Sequence, residues 1–184
     1  LFQGIRDYLE RNEPMLDYAQ QQQAVADFQE SLNQASQERL RKNLLQGQAY
    51  LKGNATKRGV KVTKSGLQYK VLQKGSGEKP TADGAVKVHY EGRLIDGAIF
   101  DSSYQRGEPI QMTLPQVIKG WQEALPMMSV GSKWQLTIPA ELAYGEQGSG
   151  DKIPPNATLI FDIELLEINI LQRSSGHKAI SHSN

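Results

Sequence analysis

Two polar residues lie among aromatic and aliphatic residues in the second half of the chain, where they could form a reactive pocket. Asp101 directly follows Phe100 at the end of a predicted strand, and Tyr144 lies in a loop-prone segment that ends in glycine. We expect the carboxylate and the phenolic hydroxyl to reach one concave surface. The residues that accompany them are mainly apolar or aromatic: Tyr90, Ile99, Phe100, Val117, Ile118, Trp121 and Phe161. Taken singly, Trp121 or Phe161 is more typical of a hydrophobic core than of a binding site.

The common catalytic motifs are absent from the sequence. There is no G-x-S-x-G turn, no glycine-rich phosphate loop with its lysine, and no H-E-x-x-H pair. The chain has three histidines, and His89 alternates with Val88 and Tyr90 on the outward face of a predicted strand. We therefore expect no metal site, no cofactor and no Ser/His triad.

Composition excludes several other classes of function. The formal net charge of the 184 residues is +1, from 21 basic and 20 acidic side chains, which does not favour nucleic acid or an anionic membrane surface. There is no cysteine, so disulfides and thiolate chemistry are excluded. No apolar run is long enough to predict a membrane span, and we expect no signal peptide within the sequence given, with a removed targeting sequence as the alternative. The chain begins with Leu1 rather than methionine, which is typical of a trimmed fragment.

The first 50 residues are predicted to be helical, because they are rich in Gln, Glu, Lys, Arg and Ala. A short first helix carries an apolar face that comprises Leu1, Phe2, Ile5 and Leu9. Asn12 to Pro14 interrupt this pattern. A second helix is predicted from about Asp17, which is of a type favoured as an N-cap, to Leu51. About 35 helical residues make a rod on the order of 50 Å long.

The second helix carries a thin apolar seam, which consists of Val25, Phe28, Leu32, Ala35, Leu40 and Leu44. One interpretation is a solvated helix that lies against its own globular domain. We favour dimerisation, because an isolated helix gains most of its stability by packing an apolar face. The residues expected at the dimer interface are Leu1, Phe2, Ile5, Leu9, Val25, Phe28 and Leu32. A purely structural coiled coil is disfavoured, since sustained a/d heptads are absent.

After Gly66 the hydrophobic pattern changes to a period of two, which predicts half-buried strands of an antiparallel sheet. One helical face, from Val117 to Leu125, interrupts the strands and ends at Pro126. The predicted organisation is a helical dimerisation segment (1–53), a linker or helix end (54–65), a globular domain (66–169) and a disordered tail (170–184).

Four stretches closely resemble the FKBP-type peptidyl-prolyl cis/trans isomerases, in the same order and with little insertion. They are VHYEGRLIDGAIFDSS (88–103), VIKGWQEAL (117–125), MSVGSKWQLTIPAELAYG (128–145) and IPPNATLIFDIELLEI (153–168). The helical arrangement before residue 65 is similar in layout to the bacterial Mip and FkpA branch, whose helices dimerise.

The resemblance implies an α+β fold, in which a twisted five-stranded antiparallel sheet wraps around one short helix, preceded by an all-α segment with one long helix. It implies catalytic roles for Asp101, Tyr144 and Tyr90, with Arg106 as the basic partner of the aspartate. Trp121 is expected as the floor of the site. The implied substrate-binding residues are Phe100, Val117, Ile118, Trp121, Phe161, Arg106, Ile110 and Ile153.

Three residues depart from the family pattern. Ile110 stands where many relatives have an aromatic residue, and Gln116 where an acidic residue is common. Lys152 replaces an aliphatic residue at the border of the pocket, in the loop from Gly145 to Ile153. We expect Lys152 to affect ligand affinity and sequence preference most.

The function implied is isomerisation of X-Pro bonds in unfolded or partly folded proteins by a dimer that assists folding. The alternative is a holdase chaperone that grips proline-containing chains with little or no isomerase activity. Asp101 has its own alternative, a structural ion pair with Arg106. Rapamycin and tacrolimus are expected ligands by resemblance. The Mip-like layout implies the periplasm or the outer-membrane surface of a Gram-negative bacterium, with the cytoplasm as the alternative.

Overall fold

The computed structural model describes residues 18–168. The chain divides into two compact units, residues 1–39 and 40–184. The predicted short first helix, the proposed cap at Asp17 and the tail beyond residue 168 lie outside the described residues.

The predicted long helix is confirmed as α1, Tyr18–Ala55. In the first unit its side chains are exposed, and Val25, Phe28 and Leu32 keep 61%, 64% and 50% of their surface in solvent. Local polar contacts support this part: Gln23 donates to Asp27, and Gln34 donates to Glu30. Propensity and side-chain pairs one turn apart therefore contribute to the helix here, while its apolar side chains remain unpacked within the described chain.

From Leu40 onward α1 belongs to the second unit, and one of its faces becomes partly buried. The residues on this face recur every three or four positions and comprise Leu40, Asn43, Leu44, Gly47, Tyr50, Leu51 and Asn54. Asn54 donates to Gln68 and Thr137, and Gln68 donates to the Leu51 carbonyl. Leu40 and Leu44, which were predicted to belong to the thin apolar seam of the second helix, are thus partly buried within the second unit.

Residues 40–168, the described part of the second unit, contain seven strands in one antiparallel sheet. They are β1 (Val60–Val62), β2 (Gln68–Gln73), β3 (Ala85–Leu94), β4 (Ile99–Ser102), β5 (Ile110–Thr113), β6 (Lys133–Ile138) and β7 (Leu159–Ile168). The order is β1-β2-β6-β7-β3-β4, and β5 also pairs with β3. β5 pairs with residues 85–88 of β3, and β4 pairs with residues 91–93 of the same strand. The two short strands therefore lie one after the other beside β3 and share one position in the strand order.

The predicted five-stranded sheet therefore corresponds to five positions in the strand order: β2, β6, β7, β3 and the position shared by β4 and β5. The three-residue β1 adds one further edge strand beside β2. The segment 54–65, expected as a linker or helix end, holds the last residues of α1, a turn and this strand.

Between residues 56 and 168 the structure also has two short α-helices, α2 (Ser103–Arg106) and α3 (Lys119–Ala124), and four 3₁₀ turns. The predicted helical face begins two residues later than expected, because Ile118 has extended backbone. A single 3₁₀ turn containing Pro126 follows α3. The hydrophobic core lies between this helical segment and the sheet and includes Trp121, Ala124, Leu125, Val86, Val88, Leu136, Ile163 and Leu165. Within residues 18–168, no helix combines the length and apolarity that crossing a bilayer requires.

The fully buried Leu136 provides a test of this core, since it lies on β6 between β2 and β7. We expect Leu136→Ala to lower the free energy of unfolding by about 2–5 kcal/mol, through lost burial and a residual cavity. The matched control is Leu72→Ala, because Leu72 is exposed on β2 and its truncation changes stability by about 0.5 kcal/mol at most. Urea denaturation at one protein concentration measures both variants, and equal losses would contradict this assignment of the core.

Candidate active site

A cavity of about 760 Å³ opens between α3, the sheet and the loop after Tyr144. Ten of the predicted site residues line it: Tyr90, Phe100, Asp101, Ile110, Val117, Ile118, Trp121, Tyr144, Ile153 and Phe161. Arg106 is not among the lining residues but contacts two of them. Gln116 and Lys152, the two polar departures, also face the cavity.

Met112 and the segment from Ser149 to Asp151 also line the cavity, although they were not among the residues predicted from the sequence. Met112 lies two residues after Ile110 on β5, so strand alternation places both side chains on one face. The alternation of side chains along a strand could therefore have indicated Met112 from the assignment of Ile110. The segment Ser149–Asp151 carried no periodic signal, because it lies in a loop.

The floor of the cavity is a cluster of aromatic rings. Trp121 meets Tyr90 and Phe161 edge-on, with ring centroids 5.2 Å apart in both pairs. Phe100 meets Phe161 at 5.5 Å in the same geometry. Trp121 and Phe161 are both buried, so these residues belong to the core and to the site at once. Edge-to-face contacts of this kind add to the burial energy and fix ring orientation.

Gly92 on β3 makes this cluster possible. A Cβ atom at this position would lie 2.6 Å from ring atoms of both Phe100 and Phe161. Gly92 pairs with Asp101 of β4 on one side and with Phe161 of β7 on the other. The absent side chain therefore lets the two rings close over the strand beside the carboxylate.

The Asp101 carboxylate is held by two donors. The Tyr90 hydroxyl donates to Oδ2, and Nη1 of Arg106 donates to Oδ1. Nη2 of Arg106 also donates to the Tyr90 oxygen at 3.1 Å, and the guanidinium lies over the Tyr90 ring at 5.6 Å. The three side chains form a closed hydrogen-bonded set, which fixes the carboxylate at the edge of the cavity.

This set keeps its charges over a wide pH range. Burial alone would raise the pKa of Asp101, but the hydrogen bonds from Tyr90 and Arg106 outweigh it and hold that pKa below its ordinary value. Burial and the neighbouring carboxylate raise the pKa of Tyr90. Hydrogen bonds to Tyr90 and Asp101 raise the pKa of Arg106. Near neutral pH the set therefore comprises an anion, a neutral phenol and a cation.

The loop from Tyr144 to Ile153 forms the opposite edge of the cavity. Tyr144 lines the cavity and is 39% exposed, so part of this residue is accessible to solvent. Ser149 and Ile153 exchange two backbone hydrogen bonds, of 2.9 and 3.1 Å. Nζ of Lys152 lies 3.4 Å from the Phe100 carbonyl oxygen, at the outer limit of a hydrogen bond. Lys152 thus extends from the loop to β4 at the mouth of the cavity.

His89 lies outside this cavity. Its Nδ1 is 2.8 Å from the Ser103 hydroxyl, and its ring stacks on Tyr104 at 4.5 Å. Burial and a hydrogen bond to Glu164 raise the pKa of Tyr104 to about 12. Among residues 18–168 no group of three His, Cys, Asp or Glu side chains is arranged to hold a metal ion.

The predicted interface residues fall in two regions. Val25, Phe28 and Leu32 lie on the exposed part of α1 in the first unit. Leu1, Phe2, Ile5 and Leu9 lie outside the described residues.

The Asp101 set predicts a titration that NMR can follow through the carboxyl carbon. We expect Asp101 to titrate below its ordinary value of about 3.9, so it favours the folded state above that pH and loses this contribution as pH falls through its folded pKa. Arg106→Ala should raise the pKa of Asp101, because it removes a hydrogen-bond donor and a positive charge from beside the carboxylate. The control is Arg93→Ala, because Arg93 pairs with Asp162 instead and its loss should leave Asp101 unchanged. A parent protein in which Asp101 titrates above 3.9 would contradict the assigned donors.

Two family descriptions match the chain. Residues 76–166 match the FKBP-type peptidyl-prolyl cis-trans isomerase domain, and residues 1–71 match the domain amino terminal to FKBP-type peptidyl-prolyl isomerase. The cavity and all its lining residues lie within the first match.

Individual proteins agree with these matches. The chain is 48% identical to the FKBP-type 22 kDa peptidyl-prolyl cis-trans isomerase of Escherichia coli, over 91% of the chain and 82% of that protein. It is 39% identical to the outer membrane protein MIP of Legionella longbeachae, over 91% and 74% respectively. The chain spans 55% and 63% of two longer relatives, from Neisseria meningitidis and Aeromonas hydrophila.

A solved structure extends the likeness to the fold. The crystal structure of FkpA from Escherichia coli superposes with a TM-score of 0.81 at 38% identity, covering 91% of this chain and 80% of that one. Since two family domains, the identity over most of a relative and the fold all agree, the chain belongs to the FKBP-type peptidyl-prolyl cis-trans isomerases.

Proposed function

We propose that this isomerase holds an X-Pro segment of a protein substrate in the cavity above Trp121 and speeds rotation by favouring a twisted amide. The observation that carries this proposal is the fixed carboxylate of Asp101 at the rim of an otherwise aromatic and aliphatic cavity.

The barrier to be lowered is that of a peptide bond with partial double-bond character, about 18–20 kcal/mol. No covalent bond is broken. As the amide twists it loses resonance and charge separation, so an apolar, water-poor surface favours the twisted form over the planar ground state. The edge-to-face rings of Trp121, Phe161 and Phe100 provide such a surface.

The proposed roles follow from what each side chain presents to the cavity. The proline ring packs on Trp121, with Val117, Ile118, Phe100 and Phe161 around it. Ile110 and Ile153 extend this apolar wall. Asp101 orients or electrostatically favours the rotated carbonyl, because its charge is retained and its oxygens are fixed by Tyr90 and Arg106. The Tyr144 hydroxyl or the Ile118 backbone amide donates to substrate carbonyls.

General acid–base chemistry has no part in this proposal. The Asp101 pKa is lowered and the Tyr90 pKa is raised, which moves both away from neutral pH, whereas a general base functions best near the working pH. The ion pair of Asp101 with Arg106 and the role in catalysis are compatible, since the pair holds the carboxylate ionised and oriented.

We further propose that the protein acts as a homodimer. Val25, Phe28 and Leu32 form one exposed apolar stripe at spacings of three and four residues. Burying three such side chains against a second copy would contribute several kcal/mol, at about 25 cal/mol per Å² of apolar surface. Leu1, Phe2, Ile5 and Leu9 would extend the same interface.

The proposed substrates are proline-containing unfolded or partly folded proteins, and the proposed setting is the periplasm or the outer-membrane surface of a Gram-negative bacterium. The outer membrane protein MIP of Legionella longbeachae supports this setting by similarity, and the cytoplasm is the alternative. Rapamycin and tacrolimus are proposed to occupy the same cavity as competitors, with Lys152 weakening them at its mouth. The holdase alternative rests on the exposed apolar stripe of α1, which would suit clients larger than a peptide.

Exchange spectroscopy on a short Leu-Pro peptide tests the isomerase proposal. We expect the parent protein to speed cis/trans exchange, Asp101→Leu to lose about tenfold or more, and Tyr144→Phe about threefold to tenfold, since a contact with a charged group is worth about 1.5–3 kcal/mol and a neutral one about 0.5–1.5 kcal/mol. The matched control is Tyr104→Phe, because the Tyr104 hydroxyl bonds Glu164 outside the cavity. Circular dichroism verifies folding. Exchange at the spontaneous rate with the parent protein would leave the cavity as a proline-binding site and favour the holdase.

Sedimentation of the whole chain tests the dimer. At micromolar concentration we expect a particle of twice the 20.5 kDa chain mass, and Phe28→Asp should shift it to one chain because a charge would be buried in the apolar interface. Gln29→Asp introduces the same residue one position along the helix and should leave the dimer intact. A parent protein that sediments as a monomer would rule out this interface.

A further inference from the structure

The loop that forms one edge of the cavity rests on a stem, residues 154–158, which packs against α1. Nδ2 of Asn43 donates to the Pro155 carbonyl oxygen at 2.8 Å. In return, Nδ2 of Asn156 donates to the Leu40 carbonyl oxygen at 3.3 Å. Both ends belong to the second unit, and more than 110 residues separate the partners in sequence. Two side-chain amides therefore join helix and stem across their contact.

Gly47 lets the two segments approach closely. It is buried on the same face of α1, one turn after Asn43. A Cβ atom at position 47 would lie 2.5 Å from Oγ1 of Thr158, 3.4 Å from its Cβ and 3.9 Å from the Asn156 carbonyl oxygen. An alanine here would force either the buried Thr158 side chain or the whole stem to move. Glycine inside a helix costs about 1 kcal/mol relative to alanine, so the close contact offsets a local penalty.

The stem in turn fixes the loop. The backbone N–H of Asn156 donates to the Gly145 carbonyl at 2.8 Å, which closes the loop at its base directly after Tyr144. Asn156 adopts φ of 55°, a left-handed conformation that asparagine tolerates better than most residues. Within the loop, the paired bonds between Ser149 and Ile153 form the edge of the cavity. A continuous set of contacts thus runs from Asn43 and Gly47 to Tyr144.

We infer that Asn43 and Gly47 of α1 are positioning residues for catalysis, which set the location of the loop from Tyr144 to Ile153 relative to Trp121. This inference rests on the proposed function of the cavity. The part of α1 from residue 40 onward would then support the cavity loop. Displacing a substrate-contacting hydroxyl by about 1 Å can lower a rate by up to about 100-fold, so a small shift of the stem is sufficient to matter.

A purely structural contact makes a different prediction. If the helix only stabilised the second unit, changes at its contact would lower the unfolding midpoint and leave the folded loop unchanged. A positioning role also moves the backbone amide signals of Gly145, Ser149 and Ile153 and changes catalysis in protein that is fully folded. The two roles are separated by working well below the unfolding temperature.

The helix offers a matched pair of glycines for this test. Gly47→Ala places a methyl group against Thr158, whereas Gly53→Ala places one where nothing lies within 4 Å. We expect Gly47→Ala to lower kcat/KM for the Leu-Pro peptide by about tenfold, with shifted amide signals in the loop. Gly53→Ala should leave both the rate and the loop signals at parent values.

Two further variants keep the test decisive where Gly47→Ala folds poorly. Gly47→Ala combined with Thr158→Ala removes the oxygen at 2.5 Å and leaves the neighbouring carbon at 3.4 Å, so the rate and the loop signals should recover. Asn43→Ala removes the bond to Pro155 without adding volume and should lower kcat/KM about threefold, for a lost bond worth about 0.7 kcal/mol. Asn33→Ala, an exposed position of α1 in the first unit, is its control.

The outcomes distinguish this inference from the proposal on which it rests. If the parent enzyme is active and Tyr144→Phe is impaired, while folded Gly47→Ala and Asn43→Ala keep parent kcat/KM and loop signals, the positioning role is wrong. If Tyr144→Phe and Asp101→Leu both keep the parent rate, the proposed function of the cavity fails instead. Recovery of kcat/KM and of the loop signals in the double variant supports positioning where the single variant is already fully folded at the assay temperature, because stability does not limit its rate there.

Discussion

The edge-on packing of Trp121 against Tyr90 and Phe161 is the contact on which the rest of the site depends. These rings bring α3 onto the sheet and also form the floor of the cavity. The arrangement requires Gly92, since a Cβ atom there would collide with the rings of Phe100 and Phe161. A single cluster therefore supplies hydrophobic burial to the fold and an apolar lining to the cavity. Core and site were competing interpretations of Trp121, and in this structure they describe the same side chain.

Much of the fold could be predicted from local pattern. Alternation of buried and polar residues along β3 and β7, and helical spacing around Trp121, follow from periodicities of two and 3.6. The first and last residues of the helices were harder to predict from the sequence. The helical face was predicted to begin at Val117, but α3 begins at Lys119 because Ile118 has extended backbone. Periodicity records which residues share a face, whereas the first hydrogen-bonded turn depends on backbone angles that the pattern does not specify.

Most of the candidate site was predicted from the family resemblance rather than from spacing. The bond from Tyr90 to Asp101 joins neighbouring strands, and its partners are 11 residues apart, so no local rule brings them together. Met112 was missed although strand alternation from Ile110 reaches it. The contact of Asn43 with Pro155 spans 112 residues and could not be foreseen, because no sequence pattern pairs positions so far apart. The long helix was likewise predicted to belong to the dimerisation segment, residues 1–53. Its last 16 residues, 40–55, belong instead to the second unit.

The electrostatics of the site follow from a balance between burial and hydrogen bonding. A carboxylate beside an aromatic floor tends to become protonated, since low polarity disfavours its charge. Asp101 remains ionised because its side chain keeps 41% of its surface in water and accepts hydrogen bonds from Tyr90 and Arg106. An ion pair this exposed adds little to stability, so its main effect is to fix the carboxylate in one charge state and one orientation. An oriented charge needs no reorganisation as the substrate amide twists, which is the condition under which a fixed group favours a transition state over the ground state.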